Sequence, residues 1–133
     1  MKVILNKSFG GFRPSVFAYN EHARRNGVNL YWYEFSMSGY ELTEQPGYFD
    51  LPLTKHLGDH VSYGEMDWSA VYHLEGESRE DADLIDIVEQ YGEQASSLVS
   101  NLEVVEIPDS LKGRYTIDEY DGLETLHEDV QTW

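Results

Sequence analysis

Between Ser78 and Leu98 the apolar residues fall at helical intervals. Leu84, Val88, Tyr91, Ala95 and Leu98 step by four, three, four and three, which places them on one face of a helix, and Ile85 and Ile87 widen it. Ser78-Arg79-Glu80-Asp81 matches a capping box, and Asp83 follows in the first turn, where a carboxylate suits the helix dipole. Asp86, Glu89, Glu93 and Gln94 then face water. A helix with one broad apolar face must bury it against another layer, so this stretch predicts a packed fold.

The first third supplies elements for that packing. Residues 2–6, KVILN, read as a short buried strand, and Ser8-Phe9-Gly10-Gly11-Phe12-Arg13-Pro14 as a loop. Ser15 is a plausible N-cap for a helix to about Asn26, with Val16, Tyr19 and Ala23 on one face and Phe17 at its edge. Arg24 and Arg25 sit in its last turn and Gly27 fits the position after the cap. VNLYWYEFSM (28–37) is rich in aromatic and branched residues and reads as a central strand. Strand, helix and strand in this order predict a βαβ unit with a right-handed crossover. The segment 38–72 is the least legible, being compatible with two short strands, a meander or an aromatic-packed excursion. After the second helix, LEVVEI (102–107) is a strand stopped by Pro108, and the residues around Asp121-Gly122 read as a hairpin with a type I′ turn. Trp133 is expected to dock against the fold.

These elements predict one α+β domain over 1–133: a small mixed sheet of four or five strands with two helices mainly on one face, in the order β-α-β, then α-β-β-β. A three-layer α/β arrangement is the alternative, less favoured because the chain ends in an antiparallel hairpin. Eighteen aromatic residues (ten Tyr, five Phe and three Trp) are too many for a disordered acidic chain. The absence of cysteine excludes disulfides, thiolate nucleophiles and cysteine-based zinc sites. No run approaches a secretory h-region or a membrane span, so the expectation is a soluble cytoplasmic protein.

Charge is distributed unevenly. The first thirty residues carry five bases against one acid, and the remaining 103 carry 24 acids against four bases, giving −16 overall. Such a field disfavours DNA, RNA and anionic lipid and favours a basic protein partner. Proteins of high-salt cytoplasms carry similar surfaces for solvation alone. Carboxylates along a helix face and a hairpin can imitate a nucleic-acid backbone and occupy a basic channel. The acids cluster at 75–93 and 118–129, and Glu80, Asp86, Glu89, Glu93, Asp118, Glu119 and Glu124 are the candidate partner-binding residues.

A second candidate is the basic loop Asn6, Lys7, Ser8, Gly10, Gly11, Phe12 and Arg13. Free N–H groups at the start of the following helix, with glycines that let a phosphate approach, would make an anion site. The spacing matches neither a dinucleotide fingerprint nor a P-loop, and a tight turn explains the glycines equally well. His56 and His60, with Asp59 or His73, have metal-clip spacing, but Gly58 opposes a helix there. Asp81-Ala82-Asp83 resembles a metal-binding pair, yet helix capping accounts for both acids. Without a nucleophile elbow no hydrolase triad is indicated. The pairs Glu103/Glu106 and Asp118/Glu119 would suit a glycosidase only if opposed across a cleft. No metal and no cofactor is expected.

KVILNKSFGGF, LTKHLG (53–58), SREDADLIDIVEQYGEQAS (78–97), LEVVEIPD (102–109) and IDEYDGLETLHEDVQTW (117–133) together resemble a family of small, functionally uncharacterised proteins encoded by bacteriophages and prophages. Two positions depart from that pattern. Ala82 stands where an Arg-x-Asp-Pro proline is usual, and Ser8 replaces a cysteine near the Gly-Gly pair, which argues against thiol chemistry there. The resemblance implies a phage accessory protein in the cytoplasm of the infected cell, acting on the host or its defences without catalysis. The readings are then an acidic inhibitor of a basic, nucleic-acid-handling host or defence protein; a phosphate or nucleotide binder, with a subunit interface of a homo-oligomer as one place for its site; or a metal-dependent enzyme.

Overall fold

The structure is a computed structural model and describes residues 1–47 and 49–128. Trp133 and the end of the second acidic block lie outside the described residues. Along the chain come β1 (Lys2–Asn6), α1 (Val16–Arg25), β2 (Tyr31–Ser36), β3 (Gly39–Leu42), β4 (Leu51–Leu53) and β5 (His60–Val61). There follow α2 (Ala82–Tyr91), β6 (Leu102–Glu106), β7 (Tyr115–Tyr120) and β8 (Leu123–Glu128). The class is α+β, with two α-helices beside antiparallel sheets. No helix among the described residues is long and apolar enough to cross a membrane.

The sheet arrangement differs from expectation. Instead of one mixed sheet the described residues form three antiparallel ones: β1 with β6, a four-stranded sheet in the order β4-β2-β3-β5, and the β7–β8 hairpin. The predicted βαβ unit does not form. β1 pairs with β6, from Lys2 opposite Glu106 to Asn6 opposite Leu102, while both edges of β2 are taken by β3 and β4. The apolar run of β1 reports burial on both faces and does not say which way its neighbour runs. Ile4 belongs to the core of the two helices, whereas Val3 and Leu5 pack with Ile107 and the hairpin residues Ile117 and Leu126.

α1 is capped by Ser15, whose Oγ accepts from the Ala18 N–H at 3.0 Å. It buries Ala18, Tyr19, His22 and Ala23; Tyr19 meets Trp32 of β2 edge to face. α2 begins three residues later than the capping-box pattern implies. Ser78 lies in a short 3₁₀ turn, and Asp81 is the N-cap, accepting from Leu84 N–H at 2.9 Å. The helix stops at Tyr91 because Gly92 leaves helical geometry with φ +57°, and a 3₁₀ turn carries the chain to Ala95. Leu84, Ile85, Ile87, Val88 and Ala95 are buried as the spacing implies, but Leu98, beyond the helix, is exposed. The segment 38–72 completes the four-stranded sheet around a second core of Tyr33, Leu53, Val61, Met66 and Ala70. The hairpin turn is as predicted, with φ +49° at Asp121 and +93° at Gly122.

Candidate functional site

α2 lays its first turns beside the start of β1, and between them lies an open cleft of about 610 Å³. Glu80, Asp86 and Glu89, three of the predicted partner-binding acids, line it with Ala82, Ile85 and Asp109, and so do the cations Lys2, Lys112 and the Met1 ammonium, which holds Asp109 at 2.6 Å. Helical spacing explains the convergence: Ala82, Asp86 and Glu89 stand four and three residues apart on one face. Lys2 Nζ donates to both Glu89 oxygens at 3.0 and 2.9 Å, and this contact holds the ammonium above its ordinary range. Arg25 reaches Asp86 at 2.6 Å. The Tyr115 hydroxyl donates to Glu80 at 2.5 Å; burial, then this bond, push the phenol up to about 12. The Lys2–Glu89 pair is about half exposed on both sides, and pairs of this kind are individually weak, so another cation can exchange for Lys2 at small cost. Carboxylates beside the apolar Ala82 and Ile85 complement a lysine or arginine, whose stem is apolar and whose head is charged.

The other predicted acids are elsewhere. Glu93 is exposed in the turn after α2, near Pro46 and Leu98. Asp118 pairs with His127, and Glu119 is exposed at the hairpin end. Glu124 is a correction: it is buried, accepts from Asn6 N–H at 2.8 Å, and holds Arg79 through two bonds of 3.0 and 3.1 Å. It is unavailable to a partner. That pair and the Tyr115–Glu80 bond bring part of the two acidic blocks together. Asp109 was not singled out from the sequence, where it only follows a strand-ending proline; its role depends on the β1–β6 pairing.

The Gly-Gly loop is held from several sides. Asn6 is buried, its Nδ2 donating to Ser8 O and Gly122 O and its Oδ1 accepting from Asn101 N–H. Lys7 N–H donates to Asn101 O and Ser8 Oγ to Val99 O. A Cβ on Gly10 would fall 1.7 Å from Val99 O, so closeness to protein backbone accounts for this glycine. Phe12 lies under the Arg79 guanidinium, and Arg13 donates to Asp50 O above the Tyr19 ring. The hollow beside Gly10 and Gly11 is lined by Glu119 and Asp121, which repel an anion. The start of α1 is separated from the glycines by Phe12-Arg13-Pro14 and capped by Ser15.

Sequence reasoning overlooked His22, which the fold sets within ligand distance of Asp81 and Asp83. Its Nε2 lies 2.9 Å from Asp81 Oδ1 and its Nδ1 2.6 Å from the Tyr72 hydroxyl. A ring protonated on Nε2 satisfies both contacts, with the phenol donating to Nδ1. Burial of Asp81 works against its charge, but the Leu84 and His22 bonds prevail and hold the carboxyl below its ordinary range. Asp83 accepts from Asn26 at 3.2 Å. These contacts tie α1 to the cap of α2. His56 packs on Tyr31, while His60, on β5, faces Glu41 of β3, so their spacing does not produce a shared helical face.

In comparisons with family models, with curated proteins and with solved structures, the chain matches none.

Proposed function

We propose that this chain is a non-enzymatic phage accessory protein that binds and inhibits a basic, nucleic-acid-handling host or defence protein in the cytoplasm of the infected cell. The observation that carries the reading is the convergence of Glu80, Asp86, Glu89 and Asp109 on one open cleft that Ala82 and Ile85 also line. A chain charge of −16 supplies long-range attraction to a basic surface, and the cleft supplies a place for a lysine or arginine to seat. Nucleic acid itself is repelled, so the protein competes for its partner's basic channel.

The test compares two variants in a binding assay with the partner recovered from host lysate at low and high salt. Glu80→Gln/Asp86→Asn/Glu89→Gln/Asp109→Asn is expected to weaken binding at least tenfold, mainly through slower association, and Arg13→Ala to leave it within about twofold. Unchanged binding by the quadruple variant alongside loss in Arg13→Ala defeats this reading and points to the Gly-Gly loop.

A further inference from the structure

Where β2 turns into β3, the four-stranded sheet ends in aromatic rings that the fold leaves uncovered. Phe35 is 75% exposed, Trp68 is 56% exposed, and Met37 in the turn is fully exposed. The register sets Phe35 opposite Tyr40 and Tyr40 opposite Val61, on the face that carries Tyr33 and Leu53 further in. Around Tyr40 the rings pack edge to face, with centroid distances of 6.0 Å to Phe35, 5.6 Å to Tyr63 and 5.8 Å to Trp68. Tyr63 also meets Phe35 at 5.6 Å and donates its hydroxyl to Ser36 O, which pins it to the hairpin. The rings form a preorganised platform continuous with the second core. A contiguous exposed apolar patch of this kind marks an interaction site far better than scattered side chains do.

The charge around the platform specifies what covers it. Glu34 and Glu41 stand directly opposite each other on the other face of the same strands, an arrangement that destabilises a sheet. Among the described residues no lysine or arginine pairs with either; Glu41 has only His60, at 3.9 Å. Glu65 is exposed between Tyr63 and Trp68 in the chain. Residues 34–69 hold seven acids and one lysine or arginine, Lys55, which Asp67 engages at 3.2 Å. Electron-rich ring faces in so negative a stretch of the fold are the complement of a planar cation. Arginine satisfies both features, because its guanidinium stacks on aromatic faces and gives its N–H groups to carboxylates. Lysine is a strongly hydrated point charge with no flat face to stack. A second copy of the chain would bring the same acids and its own −16. Nucleic-acid bases also stack on such rings, but their phosphates would meet Glu65 and the field of a chain carrying −16.

We propose that Phe35, Tyr40, Tyr63 and Trp68 form a docking surface for arginine side chains of a cationic protein, with Glu65 in the same turn as Tyr63 and the field of Glu34 and Glu41 across the sheet favouring the charge. This rests on the reading that the chain binds a basic protein, and it shares no residue with the cleft beside α2.

The experiment titrates the full chain with an oligo-arginine and an oligo-lysine peptide of equal length and reads affinity by calorimetry. The arginine peptide is expected to bind about three- to tenfold tighter. That preference should fall to near unity in Phe35→Ala/Trp68→Ala and be reduced in the bulk-retaining Trp68→Leu, while oligo-lysine affinity stays within about twofold. A circular dichroism spectrum matching the parent checks the fold of each, and the single variant decides the matter should the double variant fail to fold. Glu80→Gln/Glu89→Gln in the cleft should weaken both peptides alike and keep the preference. Equal affinity of the parent protein for both peptides overturns the proposal, as does a preference that survives loss of the rings. If only the cleft variant weakens binding, the basic-partner reading stands and the platform falls. Self-association of the parent that the ring variants abolish would identify a second copy as the occupant and also overturn it.

Discussion

Glu124 joins parts of the fold that are distant in the chain, because its carboxylate accepts from the backbone of β1 and from both terminal nitrogens of Arg79. Arg79 Nη1 also donates to Ile4 O at 3.1 Å, so one ion pair links β8, β1 and the approach to α2. Removing one member of a buried pair leaves the other charged and unmatched, which costs far more than the net worth of the pair. Glu124→Ala is therefore expected to destabilise by about 3–5 kcal/mol in urea titrations, while Glu119→Ala, exposed on the neighbouring strand, stays within about 0.5 kcal/mol. Glu124→Gln keeps an acceptor for the Asn6 N–H and should fall between them. Equal, small shifts for Glu124→Ala and Glu119→Ala would show that the pair does not bear on stability. The sequence held a signal for this burial. An Asp-Gly turn sets Ile117 opposite Leu126 and Glu119 opposite Glu124, so Glu124 shares the core-facing side with Leu126. The reading as a surface acid followed the composition of the segment and did not use this alternation.

Elements whose determinants are local were legible, and those set by distant contacts were not. α1 is bounded by Ser15 and Gly27, and the β7–β8 turn by Asp121-Gly122, because caps and positive φ depend on a few adjacent residues. The start of α2 shifted because Asp81 has a second partner, His22 of α1, that no local pattern contains. The β1–β6 pairing joins residues about a hundred positions apart, so neither the three-sheet arrangement nor the Asp109 side of the cleft was readable. Asp86 and Glu89 were readable on the cleft because helical spacing alone gathers them, whereas Glu80 stands before the helix and is set by Tyr115. The Gly10-Gly11 loop shows the same division. Its flexibility was evident, but its reason is contact: a Cβ on Gly122 would lie 2.2 Å from Gly11 N, and one on Gly10 would strike Val99 O. Gly11 has φ +93° with open space around it. Gly10→Ala is therefore expected to cost on the order of 2–3 kcal/mol through forced displacement of the backbone, and Gly11→Ala about 1 kcal/mol through φ strain alone. Thermal unfolding of the two variants side by side gives the order, and a reversed order would mean that the loop does not lie against Val99.

At the scale of the whole molecule, 25 acids face nine lysines and arginines, so sixteen carboxylates would lack such a partner even if every one of those bases were paired. The fold places several bases on internal ties, Arg79 to Glu124 and Arg25 to Glu21 and Asp86, and leaves the excess negative charge to repel itself. Self-repulsion of this kind destabilises a compact state and is relieved by screening. The Debye length falls from about 30 Å at 0.01 M salt to about 8 Å at 0.15 M, so distant carboxylates cease to feel one another over that interval. The free protein should therefore gain stability on that salt step, by roughly 1 kcal/mol or a rise of a few degrees in Tm. Binding to a basic partner should weaken over the same step, because the field that repels within the chain attracts between chains. Opposite signs in one salt range are the signature of charge kept for recognition at the expense of stability. A surface shaped only for solvation in concentrated salt makes a different pair of predictions: folding that needs molar salt, and no loss of partner affinity near 0.15 M. Calorimetric Tm values for the free chain and association rates for the complex, taken in the same buffers, separate the two. A Tm that is flat or falling between 0.01 and 0.15 M would mean that the ion pairs of the fold already balance the acids.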